Sequence, residues 1–321
     1  MNAIQNALQS AGPQAAQIEQ LWWLTLAVCA IAFVPTLGAL LWSLWRAPRA
    51  TEATPADTAI VSQPERRTRS VVVSAVVISG IGLAFLLLAS VRTDHALAQL
   101  PLEDALNIQV TGHQWWWDIQ YDDPDPSKIF STANEIYIPV GRPVVITLLS
   151  DDVIHSLWVP NLHGKKDLIP GQTATMQIRA DKAGTYRGQC AEFCGLQHAF
   201  MAFTVTALPA ADFDAWRAAQ LEPAAQPTDE KAKRGEQLFT SGSCMMCHAI
   251  QGTTANARMA PNLTHVASRR TLAAGTVANT PQNLAAWITD PQKIKPGVNM
   301  PAHHLPGGDL DALVTYLGTL K

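Results

Sequence analysis

Two long apolar runs dominate the first third of the chain. Leu21 to Trp45 is 25 residues without a charged side chain, and Ser70 to Val91 is another 22. At about 1.5 Å of rise per residue, roughly 20 apolar residues cross the hydrocarbon core of a bilayer. Both runs therefore predict membrane-spanning helices. Pro35 lies inside the first, where a helix can kink and neighbouring helices can satisfy the freed backbone. The first run is too long for the apolar core of a cleaved signal peptide, and no Lys or Arg precedes it.

After Val91 the pattern changes twice. From Leu106 to about Leu208 it predicts strands. Glu135 to Pro139 and Pro143 to Leu149 are rich in β-formers, while Thr173 to Ile178 and Ala202 to Thr206 alternate apolar with polar or small residues. Short strands between frequent turns predict a β-sandwich or barrel. Residues 209–227, rich in Ala, Pro and Gln, read as a linker with some helix. From Thr228 the texture is helical, with Thr228 as the expected N-cap of one helix and Thr280-Pro281 opening another. Leu310, Leu313, Val314 and Leu317 give the last helix one apolar face. The expected organisation is thus an N-terminal segment (1–20), spans at 21–45 and 70–91 joined by a loop (46–69), a β domain (92–208), a linker (209–227) and an all-α domain (228–321).

Charge adds an orientation. The loop between the spans carries Arg46, Arg49, Arg66, Arg67 and Arg69, and the first 20 residues carry no basic side chain. The positive-inside rule puts this loop in the cytoplasm and both chain ends, with everything after Val91, outside. A net charge of −3 over 321 residues gives no reason to expect a nucleic-acid partner.

The five cysteines carry the chemistry. Cys29, alone in an apolar run, reads as a small buried hydrophobe. Cys190, Cys194, His198 and Met201 fall within 12 residues. Thiolate and thioether are soft ligands suited to copper, and imidazole suits it too. Two cysteines four apart on a tight loop can point at one place, each sulfur able to bridge two ions. A second copper would need another imidazole, and His155, at the mouth of a predicted strand, is the best candidate. Zinc is the bland alternative, but it would not need Met201. A Cys190–Cys194 disulfide is another, on the oxidising side of the membrane. Further on, Cys244-Met-Met-Cys247-His248 is C-x-x-C-H, which attaches a c-type haem through two thioethers with the His as one axial ligand. The second axial ligand is sought among Met300, His303 and His304; two imidazoles would lower the potential relative to His/Met.

The motif C-x-E-x-C-x3-H-x2-M, with His155 upstream in Val-Ile-His-Ser-Leu-Trp-Val-Pro, resembles subunit II of cytochrome c oxidase over roughly residues 20–208. That resemblance implies a cupredoxin-like β-barrel holding a dinuclear copper centre, CuA. Cys190 and Cys194 would be its bridging thiolates, His155 and His198 its imidazoles, Met201 a weak thioether ligand and Glu192 a backbone-carbonyl ligand. The Glu192 carboxylate would reach a magnesium ion shared with subunit I. Residues 228–321 resemble class I cytochromes c. There Met300-Pro301 matches the Met-Pro that supplies the second axial ligand, and Pro261-Asn262-Leu263 the loop that packs on the haem.

Together these features resemble subunit II of a haem–copper oxidase with a fused cytochrome c domain. The implied setting is the bacterial inner membrane, both redox domains periplasmic and the spans in membrane lipid. Electrons would come from cytochrome c or another donor protein and pass through haem c and copper to subunit I, among other oxidase subunits. Dioxygen reduction and proton pumping would take place in subunit I.

Trp115, in the run Gly112-His-Gln-Trp-Trp-Trp-Asp118, matches the exposed position at which electrons come in. Strand alternation would put Trp115 and Trp117 on one face and Trp116, where many relatives have Tyr, on the other. A membrane-interface aromatic belt is the competing reading. Asp118, Asp122, Asp123 and Asp125 suit either attraction of a basic donor or plain solvation. Asp167 suits bonding to turn amides. Glu65 falls near a proton-entrance acid of the family, in an alignment too loose to carry over. Two rival functions remain: a copper subunit of a nitric oxide reductase, and a copper-delivery or thiol-redox protein. A quinol-oxidising relative should lack the copper ligands.

Overall fold

The computed structural model describes residues 3–47 and 65–321. Arg49 and most of the expected cytoplasmic loop lie outside the described residues. Two compact units emerge, one of residues Gln17–Gln99 and one that joins the N-terminal segment through Ala16 to Leu100–Lys321.

The first unit holds two helices, α1 (Pro13–Arg46, whose first turn belongs to the other unit) and α2 (Arg66–Leu97). Both are longer than the charge-free runs, because Glu19 and the arginines flanking the runs are compatible with helix even where they are unwelcome in lipid. Pro35 lies within α1. The most apolar stretch of each helix has no buried residue. A soluble helix would cover such a surface, and a bilayer does so here: the protein is membrane-anchored. Cys29 is exposed on α1 rather than buried in a core, since neither helix forms a protein interior around it. Glu65 stands at the N-cap of α2 without capping it.

The second unit contains two domains with separate cores. Ten strands form a sandwich: β1 (Leu106–His113), β2 (Trp116–Tyr121), β3 (Phe130–Ala133), β4 (Glu135–Pro139), β5 (Val144–Ser150), β6 (His155–Trp158), β7 (Lys166–Leu168), β8 (Ala174–Ile178), β9 (Gly184–Cys190) and β10 (Ala202–Leu208). One sheet runs β3-β2-β1-β5-β8 and the other β4-β10-β9-β6-β7. The β1/β5 and β4/β10 pairs are parallel and the rest antiparallel. Alternation does the work within each strand: in β2, Trp117, Ile119 and Tyr121 are buried and their neighbours only partly so. Between the sheets lie Ile108, Val110, Ile136, Ile138, Ile146, Leu148, Leu157, Phe203 and Val205. This is the expected cupredoxin-like domain.

Two segments outside the strands complete this domain. Ile4 bonds backbone-to-backbone with Thr185 and Arg187, and Ala11 with Asn161 and Asp181, so the N-terminal segment is pinned to the sandwich. The region expected as a linker with some helix holds a docked helix, α3 (Ala210–Leu221). Phe213 enters the sandwich core and Trp216 stacks on Tyr137 with ring centres 4.4 Å apart. Only the few residues after it connect to the next domain.

That domain is helical: α4 (Glu230–Ser241), α5 (Pro281–Thr289), α6 (Pro291–Ile294) and α7 (Gly307–Leu317), with a two-stranded hairpin, β11 (Thr271–Leu272) and β12 (Val277–Ala278). Its own core includes Phe239, Ile250, Leu284, Ile288, Leu313, Tyr316 and Leu317. Asp229, not Thr228, caps α4, its carboxylate accepting from the Ala232 amide at 2.9 Å. Thr280 caps α5 with Pro281 at the first helical position, as the sequence predicts.

Candidate metal and haem sites

The thiol cluster lies where three strand ends meet. His155 opens β6, Cys190 closes β9 with Leu157 of β6 as its partner, and Met201 immediately precedes β10. The loop between β9 and β10 carries Glu192, Cys194 and, in a short 3-10 turn, His198. Cys190 and Cys194 are free thiols, so no disulfide joins them. Their sulfurs and a His155 ring nitrogen all lie within 4.8 Å of one another.

The donors fall into two matching sets. Cys190 Sγ lies 3.9 Å from His155 Nδ1 and 3.2 Å from the Glu192 carbonyl oxygen. Cys194 Sγ lies 3.6 Å from His198 Nδ1 and 3.8 Å from Met201 Sδ. Each set has a thiol, an imidazole and one weaker donor, and the two thiols sit between them. His155, both cysteines and Met201 are buried, while His198 is half-buried. Cys194 S–H bonding favours the Cys190 thiolate and outweighs its burial, so Cys190 loses its proton well below the usual thiol range. Cys194, donating to that thiolate and buried, holds its proton far above the usual thiol range. Copper of either oxidation state suits this soft, partly ionised donor set.

Neighbours aim these ligands. Asp152 Oδ1 sits 2.8 Å from His155 Nε2, which leaves Nδ1 facing Cys190. The Cys194 carbonyl accepts from Gln114 Nε2 at 2.8 Å and from the Trp115 indole N–H at 2.9 Å. Trp117 is fully buried, edge-on to His155, and Trp116 stacks on His113. The tryptophan run thus packs around the cluster. Trp115 stands in the β1–β2 turn, outside strand alternation, and is half-buried rather than exposed. The sequence reading missed Asp152, Gln114 and Gly112, because each acts through its contact with a proposed ligand or its loop and not as one of the proposed donors.

Other singled-out acids have local partners. Asp123 accepts from Arg217 at 2.6 Å, Asp125 caps the turn Pro126–Lys128, Asp122 accepts from Gln120, and Asp118 is half-buried in β2. Asp167 accepts from the Ser156 hydroxyl at 2.7 Å rather than from turn amides, and Lys165 joins it to the Glu192 carboxylate.

A cavity of about 480 Å³ lies beside this cluster. Cys244, Cys247, His248, Met300 and His303 line it, together with apolar Leu263, Val266, Leu284, Ile288 and Leu313; His304 does not. Cys244 lies in a short 3-10 turn, Ser243–Met246, and Cys247 caps its end. His248 Nδ1 donates to the Pro261 carbonyl at 2.7 Å, which frees Nε2 as a ligand atom. Size, apolar walls, two thiols and a pre-aimed imidazole fit a haem held by thioethers. Trp115, Trp116 and Asn134 of the sandwich line the same cavity.

Comparison with known proteins agrees with both halves. The model of the cytochrome c oxidase subunit II periplasmic domain matches residues 125–208, and the cytochrome c model matches residues 232–321. Cytochrome c oxidase subunit 2 of Alkalihalophilus pseudofirmus is 41% identical over 220 residues, covering 68% of this chain and 62% of that protein. The protein of that name from Bacillus sp. (strain PS3) is 38% identical over 232 residues, covering 67% and 62%. The chain thus spans rather less than two thirds of either relative. Among solved structures, the periplasmic domain of subunit II of the Bradyrhizobium japonicum cytochrome oxidase is 30% identical with a TM-score of 0.35, covering 37% of this chain and 96% of that one. On sequence, motifs and domain order, the chain belongs to the family of cytochrome c oxidase subunits II, in a form that ends in a cytochrome c domain.

Proposed function

We propose that this chain is the electron-input subunit of a terminal haem–copper oxidase. It takes electrons from a donor protein, such as a soluble cytochrome c, at haem c and passes them through a dinuclear copper centre to subunit I. The observation that carries the reading is the position of Trp115. Its ring lines the cavity of Cys244, Cys247 and His248, and its N–H bonds to the carbonyl of Cys194. One side chain thus touches both sites.

Cys190, Cys194, His155, His198, Met201 and the Glu192 carbonyl would hold the two coppers. Cys244 and Cys247 would attach haem c covalently, and His248 and Met300 would supply its iron ligands. When bound, each centre accepts and releases one electron. The chain contributes rigidity: ligands fixed by strand ends and by Asp152 move little between oxidation states. The Glu192 carboxylate would exchange Lys165 for magnesium where subunit I docks. Dioxygen reduction and proton pumping belong to subunit I.

Chain connectivity supports the two-pass orientation in a bacterial inner membrane. The N-terminal segment through Ala16 belongs to the same unit as the redox domains, and the chain returns to that unit at Leu100. Two spans leave from and come back to one side, which agrees with both ends periplasmic and the arginine-rich loop cytoplasmic.

Metal analysis and an optical spectrum of the purified chain test the reading; two coppers and one covalently bound haem per chain are expected. The Cys190→Ser, Cys194→Ser chain should lose copper and, in the assembled complex, cytochrome c oxidation. Full copper content in that double variant would sink the proposal. Turnover of nitric oxide but not dioxygen would move the chain to a nitric oxide reductase.

A further inference from the structure

The seam between the copper-type and haem-type domains encloses a lysine. Lys295 is 1% exposed, in the stretch between α6 and Met300. Its Nζ donates to the carbonyls of Trp115 at 2.7 Å, Phe200 at 2.8 Å and Ala273 at 3.2 Å. An ammonium has three N–H donors, and all three are used; a neutral amine would turn a lone pair toward one carbonyl. The acceptors lie on separate stretches. Trp115 is in the β1–β2 turn, Phe200 immediately precedes Met201, and Ala273 is in the β11–β12 turn of the helical domain.

Smaller contacts close around it. Gln197 Nε2 donates to the Pro296 carbonyl at 2.6 Å. Gly297, at φ +88°, lets the chain pass so near that a Cβ there would lie 3.1 Å from Leu196 and 3.5 Å from Trp115. The stretch leading to Met300 is thereby fixed against the loop of Cys194, His198 and Met201.

The charge has a consequence of its own. Among the described residues no carboxylate forms an ion pair with Lys295; burial pulls its pKa down to about 7, while three carbonyl acceptors around Nζ match the protonated ammonium. In an interior that screens charge weakly, a fixed ammonium favours the more negative state of its surroundings. Beside the copper ligands that is the reduced state.

We propose that Lys295 is a positioning residue for electron transfer between the two domains. Its ammonium ties the Trp115 and Phe200 carbonyls to the helical domain and raises the reduction potential of the centre held by Cys190 and Cys194. The proposal rests on the haem-to-copper route given above.

The test uses the assembled complex with the full chain, as wild type, Lys295→Met and Lys295→Arg. Potentiometric titration reads the copper potential, and flash reduction of haem c by a photoexcited ruthenium complex reads the haem-to-copper rate. Lys295→Met should keep its haem and copper, lower the copper potential and slow the transfer by about tenfold or more. Lys295→Arg should restore the potential, since the charge stays, while the transfer remains slowed because a planar fork does not match three converging carbonyls. Wild-type potential and rate in Lys295→Met overturn the proposal. Should that variant not assemble, Lys295→Arg decides: slowed transfer at wild-type potential supports it, and wild-type transfer overturns it. A wild-type complex whose reduced haem passes no electron to copper overturns the route itself, and the proposal with it.

Discussion

His155 is held by two residues that are not among the proposed metal ligands. Asp152 bonds its Nε2 and also takes the Gln114 amide at 2.6 Å. Gly112 leaves space for the ring, since a Cβ there would lie 2.8 Å from His155 Cδ2 and 3.0 Å from Cγ. The ring is fully buried and cannot retreat without disturbing Trp117. Gly112→Ala is therefore expected to turn His155 away from Cys190 and weaken copper binding by about 10- to 100-fold, as loss of an orienting partner does. Competition with a copper chelator measures it, and an unchanged circular dichroism spectrum separates it from unfolding. Wild-type affinity would mean that the site relaxes around the methyl group. This division explains what could be read from the chain. The proposed ligands declare themselves by residue type and spacing, as in Cys190 to Met201 or Cys244 to His248. Gly112 matters through the atoms it lacks. Lys295 matters through carbonyls up to 180 positions away, and nothing in its neighbouring sequence marks it.

At the scale of elements, periodicity gave the spans, most strands and the last helix, because each repeats its apolar positions several times. It failed where two large residues carry the packing. α3 shows Phe213, Trp216 and Leu221 at its end against alanine and polar residues, so the stretch reads as a linker with some helix. Yet Phe213 is 1% exposed, inside the sandwich core, and Trp216 meets Tyr121, Phe130 and Tyr137. Truncating such a residue removes its transfer free energy and leaves a cavity. Phe213→Ala is expected to destabilise the copper-type domain by about 3–5 kcal/mol. Urea unfolding would measure this, with Glu222→Ala, at the C-cap beyond the packed face, changing stability by less than about 0.5 kcal/mol. If Phe213→Ala costs no more than that surface change, the helix is a tether after all.

At the scale of the whole molecule, the two redox domains keep separate cores yet share one cavity wall. One core ends with Leu221 packed against it and the other begins at Ala224, so the division falls just after α3. Across it, Asn262 reaches Ser131, the Arg270 amide donates to Glu135 at 2.8 Å, and the Ala202 amide donates to Ala274 at 3.1 Å. Glu135 is buried at this seam and Arg269 half-buried, and that burial raises the pKa of Glu135 and lowers that of Arg269 to about 10. The consequence falls on Trp115. The helical domain stands over Trp115, so on the proposed route an external donor would meet the haem rather than this face of the sandwich. A chain ending at Glu222 keeps the complete sandwich core and α3, and is expected to fold and bind copper. Hydroxyl-radical footprinting read by mass spectrometry should label Trp115 several-fold faster in that shortened chain than in the full one, whereas the buried Trp117 should be protected in both. Equal labelling of Trp115 would mean that the helical domain leaves this face open in solution, and direct donor access to the copper site would then stand beside the haem route.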